Sequence, residues 1–442
     1  MSAVVDFPVK PEARPYRDAF CRSAGEPDWL IAARERALAR FAELGFPSRR
    51  GEAWRYLDLT ALAEEPILPA VQHRADDSAR ALVAEHGFAE AGWRLVLLDG
   101  RFAPELSRLE GLPERVWLGS MQAAVVERPH LVSEAIERAQ DAEGAFSALN
   151  TAFFADGFVL DIAPGVVLDR PIEILHLTSA EGEGAFHTRS LVSLAAGARA
   201  EIIETFAGVS AGRTWRNDVV VLRLDERAEL TRTTLIEEAG EAVHFGETTA
   251  RLDAAARLTD FALVLDGGTV RREESVRAKG AKTRSALSGA FLVAGRRQAN
   301  LVTIVDHQAP GGETRELFKG VAAGRGHGAF QGRITVRAGA QKVDAHQLSR
   351  NLLLGRRAVI DTKPELEIFA DDVKCSHGAA VGDLDPAALF YLASRGIPPA
   401  EARRLLIEAF LHEAIEQVGS PALRARLSAR LGRHLRELEE QE

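Results

Sequence analysis

Cysteine is nearly missing from these 442 residues: Cys21 and Cys375 are the only two. Two thiols exclude a disulfide framework and fit a reducing compartment. They also fall short of the four usually needed for a self-contained iron–sulfur or cysteine-rich zinc site, so any such chemistry must borrow ligands from elsewhere. Long apolar runs are lacking too, and none approaches the 18 residues of a membrane-spanning helix. Met1 to Lys10 has Asp6 and Pro8 inside its only apolar patch and no small-residue cleavage site, unlike a signal peptide, so the expected compartment is the cytoplasm. Positive charge is short as well. Lys plus Arg total 55 against 64 Asp plus Glu, a net charge of −9, which argues against a dedicated nucleic-acid binder. What remains is ordinary for a globular chain, 46% hydrophobic and 27% charged, enough to bury a sizeable core.

Several chemistries are struck out by missing motifs. No Gly-x-x-x-x-Gly-Lys-Ser/Thr occurs, so the chain has no phosphate loop for ATP. Gly324, Gly326, Gly328 and Gly332 miss the dinucleotide spacing, because Ala329 stands where the last glycine belongs. Gly208-Val-Ser-Ala-Gly212 matches the nucleophile elbow of serine hydrolases, but Arg213 to Leu224 reads as strand where a helix should follow. His412-Glu413 opens like a zincin motif, yet Glu416 replaces the second histidine, and a solvated helix face explains it better.

The first 150 residues read as a helical domain. Trp29, Leu30, Ala33, Ala37, Leu38, Phe41 and Leu44 form a 3.6-residue stripe after Pro27-Asp28, ended by Gly45 and Pro47. Met121 to Ala139 reads as another helix interrupted near Pro129. Residues 151–382 change to short alternating runs rich in Val, Ile, Leu and Thr, such as Val219 to Leu224 and Leu301 to Val305, which are strands. A loose unit recurs there, with alanines 198, 228, 256 and 281 spaced 30, 28 and 25 residues apart; Val336 to Ala340 carries a further copy. A recurring strand unit suggests a stacked parallel β-helix, with a sandwich as the competing architecture. Residues 383–442 return to helix: Pro386 to Ser394, Pro398 to about Val418, and Pro421 to about Leu438. The middle one presents Leu405, Leu406, Phe410 and Ile415 on one wide apolar face. That stripe must be hidden by the protein's own body or by a partner.

The most chemically loaded stretch is Asp371-Asp-Val-Lys-Cys-Ser-His377. On a strand, residues i and i+2 share a face, so Cys375 and His377 could present soft and borderline ligands side by side. Two ligands do not make a site, and a buried cysteine beside a surface histidine is the plain alternative.

At this stretch the sequence resembles the SufB/SufD family of SUF iron–sulfur cluster assembly. The resemblance is carried by Asp306-His307, Phe318-Lys-Gly320, Phe330-Gln-Gly332, Asn351 to Leu354, Lys363 to Ile368, Ala370 to Gly378 and Leu389 to Ile397, in order. Glu52-Ala-Trp-Arg-Tyr56 resembles the family's N-terminal element, whereas residues 60 to 300 match in texture only. The Cys-Ser-His-Gly sequence, the short chain and the shortage of cysteine put it on the SufD side. The resemblance implies a right-handed parallel β-helix flanked by N- and C-terminal helical domains, and a non-enzymatic scaffold subunit of a SufBCD complex. It implies pairing with SufB through the β-helix, with a homodimer as the option in isolation, and docking of the SufC ATPase on the C-terminal helices. It also implies a nascent cluster at the SufB interface, with His377 as the metal-binding residue by motif match and Cys375 beside it. No cofactor is expected to stay on the isolated chain, and ATP enters only through SufC. A β-helix enzyme, either a polysaccharide lyase or a hydrolase using Ser210, is the alternative; many such carbohydrate enzymes are exported, and no export signal is read here.

Overall fold

The computed structural model describes residues 9–22, 25–70, 77–140 and 144–441; Met1 to Pro8 lie outside them. Strand content dominates, and the reason lies in the pairing. From Gly184–Leu194 to Lys374–Gly382, each strand pairs in parallel with the strand two before it, not with its chain neighbour. The chain therefore winds between two facing sheets, one of ten strands and one of nine, and makes a parallel β-solenoid of about 8 turns. In-register stacking puts like on like. Val192, Leu222, Ala250, Val276, Val305 and Ile334 lie one above another and are at most 2% exposed. Fully burying each Val, Leu or Ile of this stack is worth roughly 1.5–3 kcal/mol.

One corner repeats with unusual regularity. Gly197, Arg227, Ala255, Lys282, Gly311 and Lys342 all have φ between 55° and 73°. Each donates its N–H to a carbonyl of the next turn, from Gly197 to Glu226 through Lys342 to Asp372. The buried residues that follow, at 198, 228, 256, 283, 312 and 343, are the true repeat positions, because the carbonyl of each accepts from the residue after the next one. The alanine unit read from the sequence is thus in phase at 198, 228 and 256 but not at 281, where Thr283 takes the corner.

The N-terminal 150 residues are not purely helical, as the sequence reading had them. Trp93–Leu98 joins the ten-stranded sheet beside Ile172–Thr178, and Val116–Ser120 closes the nine-stranded sheet antiparallel to Phe158–Ile162. Trp93 to Leu98 is a nearly continuous apolar run with five of its six residues buried, so it shows no alternation that would mark it as a strand. The helix Asp28–Leu44 runs as expected to Gly45. Met121–Glu127 and Pro129–Gln140 are separate helices, as the proline predicts. Ala145–Phe153 packs on the outer face of the nine-stranded sheet through Phe146, Trp215 and Phe245, with Phe41 of Asp28–Leu44 in the same cluster, whereas Met121–Glu127 packs through Met121 and Val125 with Val159 and Leu191.

The C-terminal helices Pro399–Ile415 and Pro421–Gln441 cover the outer face of the other sheet, where Leu411, Ile415, Leu427 and Leu431 pack with Leu263, Leu292 and Val321. Lys319, buried in that sheet, pairs with Glu413 and lies 4.2 Å from the Phe410 ring centroid. No helix of the described residues is long and apolar enough to cross a membrane.

Candidate functional site at the open end of the solenoid

The two ends of the solenoid differ. The first is closed by antiparallel strands, whereas the last turn, Val359–Ile368 and Lys374–Gly382, has each strand paired on one side only among the described residues. Ile368, Phe369 and Val381 are exposed there, Phe369 by 61%. Unpaired edges of this length are pairing templates.

The Asp371 to His377 stretch lies on this last turn. Cys375 is opposite Ala345 and His377 opposite Gln347. Cys375 is half-buried and packs against the solenoid core; burial pushes its thiol up from the ordinary value, which disfavours a free thiolate. By strand alternation His377 belongs to the same inward face, but no turn covers it and it is exposed. Among the described residues no three His, Cys, Asp or Glu side chains converge as a metal-binding group.

Beneath His377 the interior is polar. Gln347 Nε2 donates to Glu316 Oε2 at 2.6 Å, and Thr303 donates to the same oxygen at 3.1 Å. Deeper, Arg232 Nε meets Asp260 at 2.5 Å and its NH1 lies 3.5 Å from Glu204, which is in turn 3.5 Å from His176. Arg272 joins Asp260 at 2.7 Å. Burial pushes the Glu316 carboxyl up to about 7 despite its two hydrogen bonds. Burial, with the neighbouring Asp260 charge, pushes Glu274 up to about 8. Between the two sets lies a small void lined by Asp260, Glu274, Ser288 and Thr303.

On the outer face of the same turns stands a group that the motif reading missed. His346 Nδ1 is 2.5 Å from Ser376 Oγ and its Nε2 is 2.9 Å from Asp344 Oδ1. The signal was present as Asp344-x-His346, a carboxylate and an imidazole two apart on a strand.

The remaining candidates are placed elsewhere. Ile415 is fully buried against the chain's own sheet, and Leu406 and Phe410 are half-buried there, so most of that stripe is consumed inside the fold; only Leu405, 37% exposed, faces out. The exposed apolar helix is Pro386–Ser394, which buries no residue and shows Phe390 at 76% and Tyr391 at 57%. Its composition is apolar almost throughout, so periodicity could not reveal which face lacks a cover. Ser210 donates to the Gly182 carbonyl at 2.5 Å and accepts from Gly212 N–H at 2.9 Å, a local loop role. His412 shares a hydrogen bond with Ser428 between two helices.

The N-terminal element Glu52 to Tyr56 reaches the far end of the molecule. Glu52 pairs with Lys363 at 2.5 Å on the last turn, and the Ala53 carbonyl accepts from Gln331. Two glycines of the C-terminal block have steric reasons. A Cβ at Gly320 would lie 2.0 Å from Phe291, and one at Gly332 would lie 2.0 Å from Gln347 Nε2.

These features define a class: a helix-flanked parallel β-solenoid with one closed end and one open end bearing a cysteine and a histidine. Comparison with known proteins gives the family. The family model "SUF system FeS cluster assembly, SufBD core domain" matches residues 176–410, and "SufBD protein N-terminal region" matches 21–174. The chain belongs to the SufBD family, and its role lies in iron–sulfur cluster assembly. It is 29% identical over 416 residues to an iron–sulfur cluster assembly SufBD family protein of Synechocystis, covering 92% of this chain and 91% of that one. It is 28% identical over 402 residues to the iron–sulfur cluster assembly protein SufD of Escherichia coli, covering 90% and 91%. The chloroplastic protein ABCI7 of Arabidopsis thaliana is 29% identical over 389 residues, covering 86% and 80%.

Proposed function

We propose that this chain is a non-enzymatic, cytoplasmic scaffold subunit of a SufBCD-type complex, and that a cluster is assembled where its last turn meets a SufB partner. The observation that carries this reading is the open turn, with His377 exposed on it and too few ligands around it, among the described residues, to hold iron alone. A partner strand added to Lys374–Gly382 brings its own thiolates to the imidazole, and a neutral imidazole nitrogen is a good iron ligand. Cys375, half-buried with its thiol pushed up, serves first as packing. The exposed helix Pro386–Ser394, with Leu405, supplies the surface for the SufC ATPase, through which ATP enters. The hydrolase alternative loses its nucleophile, since the Ser210 hydroxyl is engaged within its loop.

The test is His377→Ala in the co-expressed complex, with anaerobic purification and measurement of bound iron and sulfide. We expect assembly of all three subunits to persist and cluster content to fall at least severalfold, while Cys375→Ala loses less. Full cluster content in the His377 variant would show that the partner supplies every ligand.

A further inference from the structure

A second site lies on the side of the solenoid, away from the open end. Between the outer face of the nine-stranded sheet and the N-terminal helices runs a groove of about 730 Å³, a volume typical of small-ligand pockets. Its two ends differ in chemistry. One end is aromatic: Trp54 lies 5.2 Å from Phe146 and 5.8 Å from Phe245, ring centre to ring centre, and its ring covers Arg271 at 4.1 Å. Arg271 is 2% exposed; its NH2 reaches Glu273 at 2.6 Å, while its NH1 is buried without a hydrogen-bond partner among the described residues.

The other end is cationic. Arg223, Arg251 and Arg277 stand in register on three successive strands, about 4.8 Å apart. Like charges stacked this way repel. Arg223 is offset by Glu134 at 3.0 Å and Arg251 by Asp253 at 3.0 Å. Arg277 has no ion pair among the described residues, and its in-register neighbour Asp306 is held by Arg337 at 2.8 Å. Lys279, exposed at the same mouth, adds a second cation.

We propose that this groove binds a nucleotide, its flat ring at the Trp54 end and its phosphates on the arginine row. Arginine forks match phosphate oxygens in pairs, and an aromatic face accepts a planar base. A simple anion would leave the Trp54 end unused, and an apolar ligand would leave the row of charge unrelieved.

The test is titration of the isolated full-length chain with ADP and, separately, with pyrophosphate, read by calorimetry and tryptophan fluorescence at low salt. The proposal expects one ADP per chain and affinity about tenfold or more weaker in Arg251→Gln/Arg277→Gln. Trp54→Leu should bring ADP down to the pyrophosphate value. Both arginines are on the surface, and circular dichroism checks that the fold is kept; should the double variant misfold, the exposed Arg277→Gln alone carries the charge test. No ADP binding at millimolar concentration, or equal binding by the charge variants, overturns the site. Pyrophosphate binding as tight as ADP overturns the nucleotide as its occupant.

Discussion

Glu316 shows how much of this molecule's chemistry is hidden in single buried side chains. Its carboxyl stands at about 7 in the fold against an ordinary value near 4.5, so the folded chain holds a proton there that the unfolded chain releases. A raised acid value means that stability is fully present below about pH 4.5 and is lost as pH rises towards and past 7. We expect Glu316→Gln, which keeps an acceptor oxygen for Gln347 and Thr303, to be more stable than the parent at pH 8, by at most roughly 3 kcal/mol. The difference should vanish near pH 4.5, as read by urea unfolding at the two pH values. The signal for this interior was in the numbering: His176, Glu204, Arg232, Asp260, Ser288 and Glu316 recur at 28-residue intervals. A search for apolar repeats passes over them, since polar residues in strands are ordinarily taken to face water. His377 was legible because its motif is contiguous, whereas its exposure depends on where the winding stops.

At the scale of the element, the repeating corner sets the solenoid's pitch, and four of its six left-handed positions are filled by Arg227, Ala255, Lys282 and Lys342 rather than glycine. Non-glycine residues pay roughly 1–2 kcal/mol for that conformation. Ala255→Gly should therefore raise stability by about 0.5–1 kcal/mol, the strain relief less the added freedom of the unfolded chain; a lower urea midpoint would show that the Ala255 methyl contributes packing that outweighs the strain. Helices such as Asp28–Leu44 were readable because a 3.6-residue stripe and a stop signal agree. The strands Trp93–Leu98 and Val116–Ser120 were not, since an element buried on both faces carries no alternation. The stripe of Pro399–Ile415 was readable as apolar but not as to its cover, which turned out to be Leu263, Leu292 and Val321 from far earlier in the chain. Removing everything after Leu384 would therefore strip a sheet face as well as the proposed docking surface, and changes at Phe390 and Tyr391 are the cleaner probe of docking.

For the whole molecule the open turn is the feature most exposed to experiment. Charge on a sheet edge opposes strand addition, so Ile368→Lys/Val381→Lys should leave the isolated chain folded yet weaken pairing through this end. Size-exclusion chromatography with light scattering reads the isolated protein, and pull-down of the SufB-type partner reads the complex. Both should shift together if both pairings use these strands, as proposed. A variant with the parent's oligomeric state that still captures the partner would move the interface elsewhere.

The difference between the two ends also limits stoichiometry. A solenoid open at both ends could add copies without stopping, as heterologous contacts do when their rotation does not close. Here the antiparallel strands Val116–Ser120 and Arg101–Phe102 seal one terminus, so a pair joined through the last turns presents two sealed ends to solvent. Under the pairing proposed above, growth would end at two chains, and a self-pair and a mixed pair would be mutually exclusive uses of one surface. The relative abundance of the two subunit types would then set how many scaffolds are competent, with no further switch in the protein.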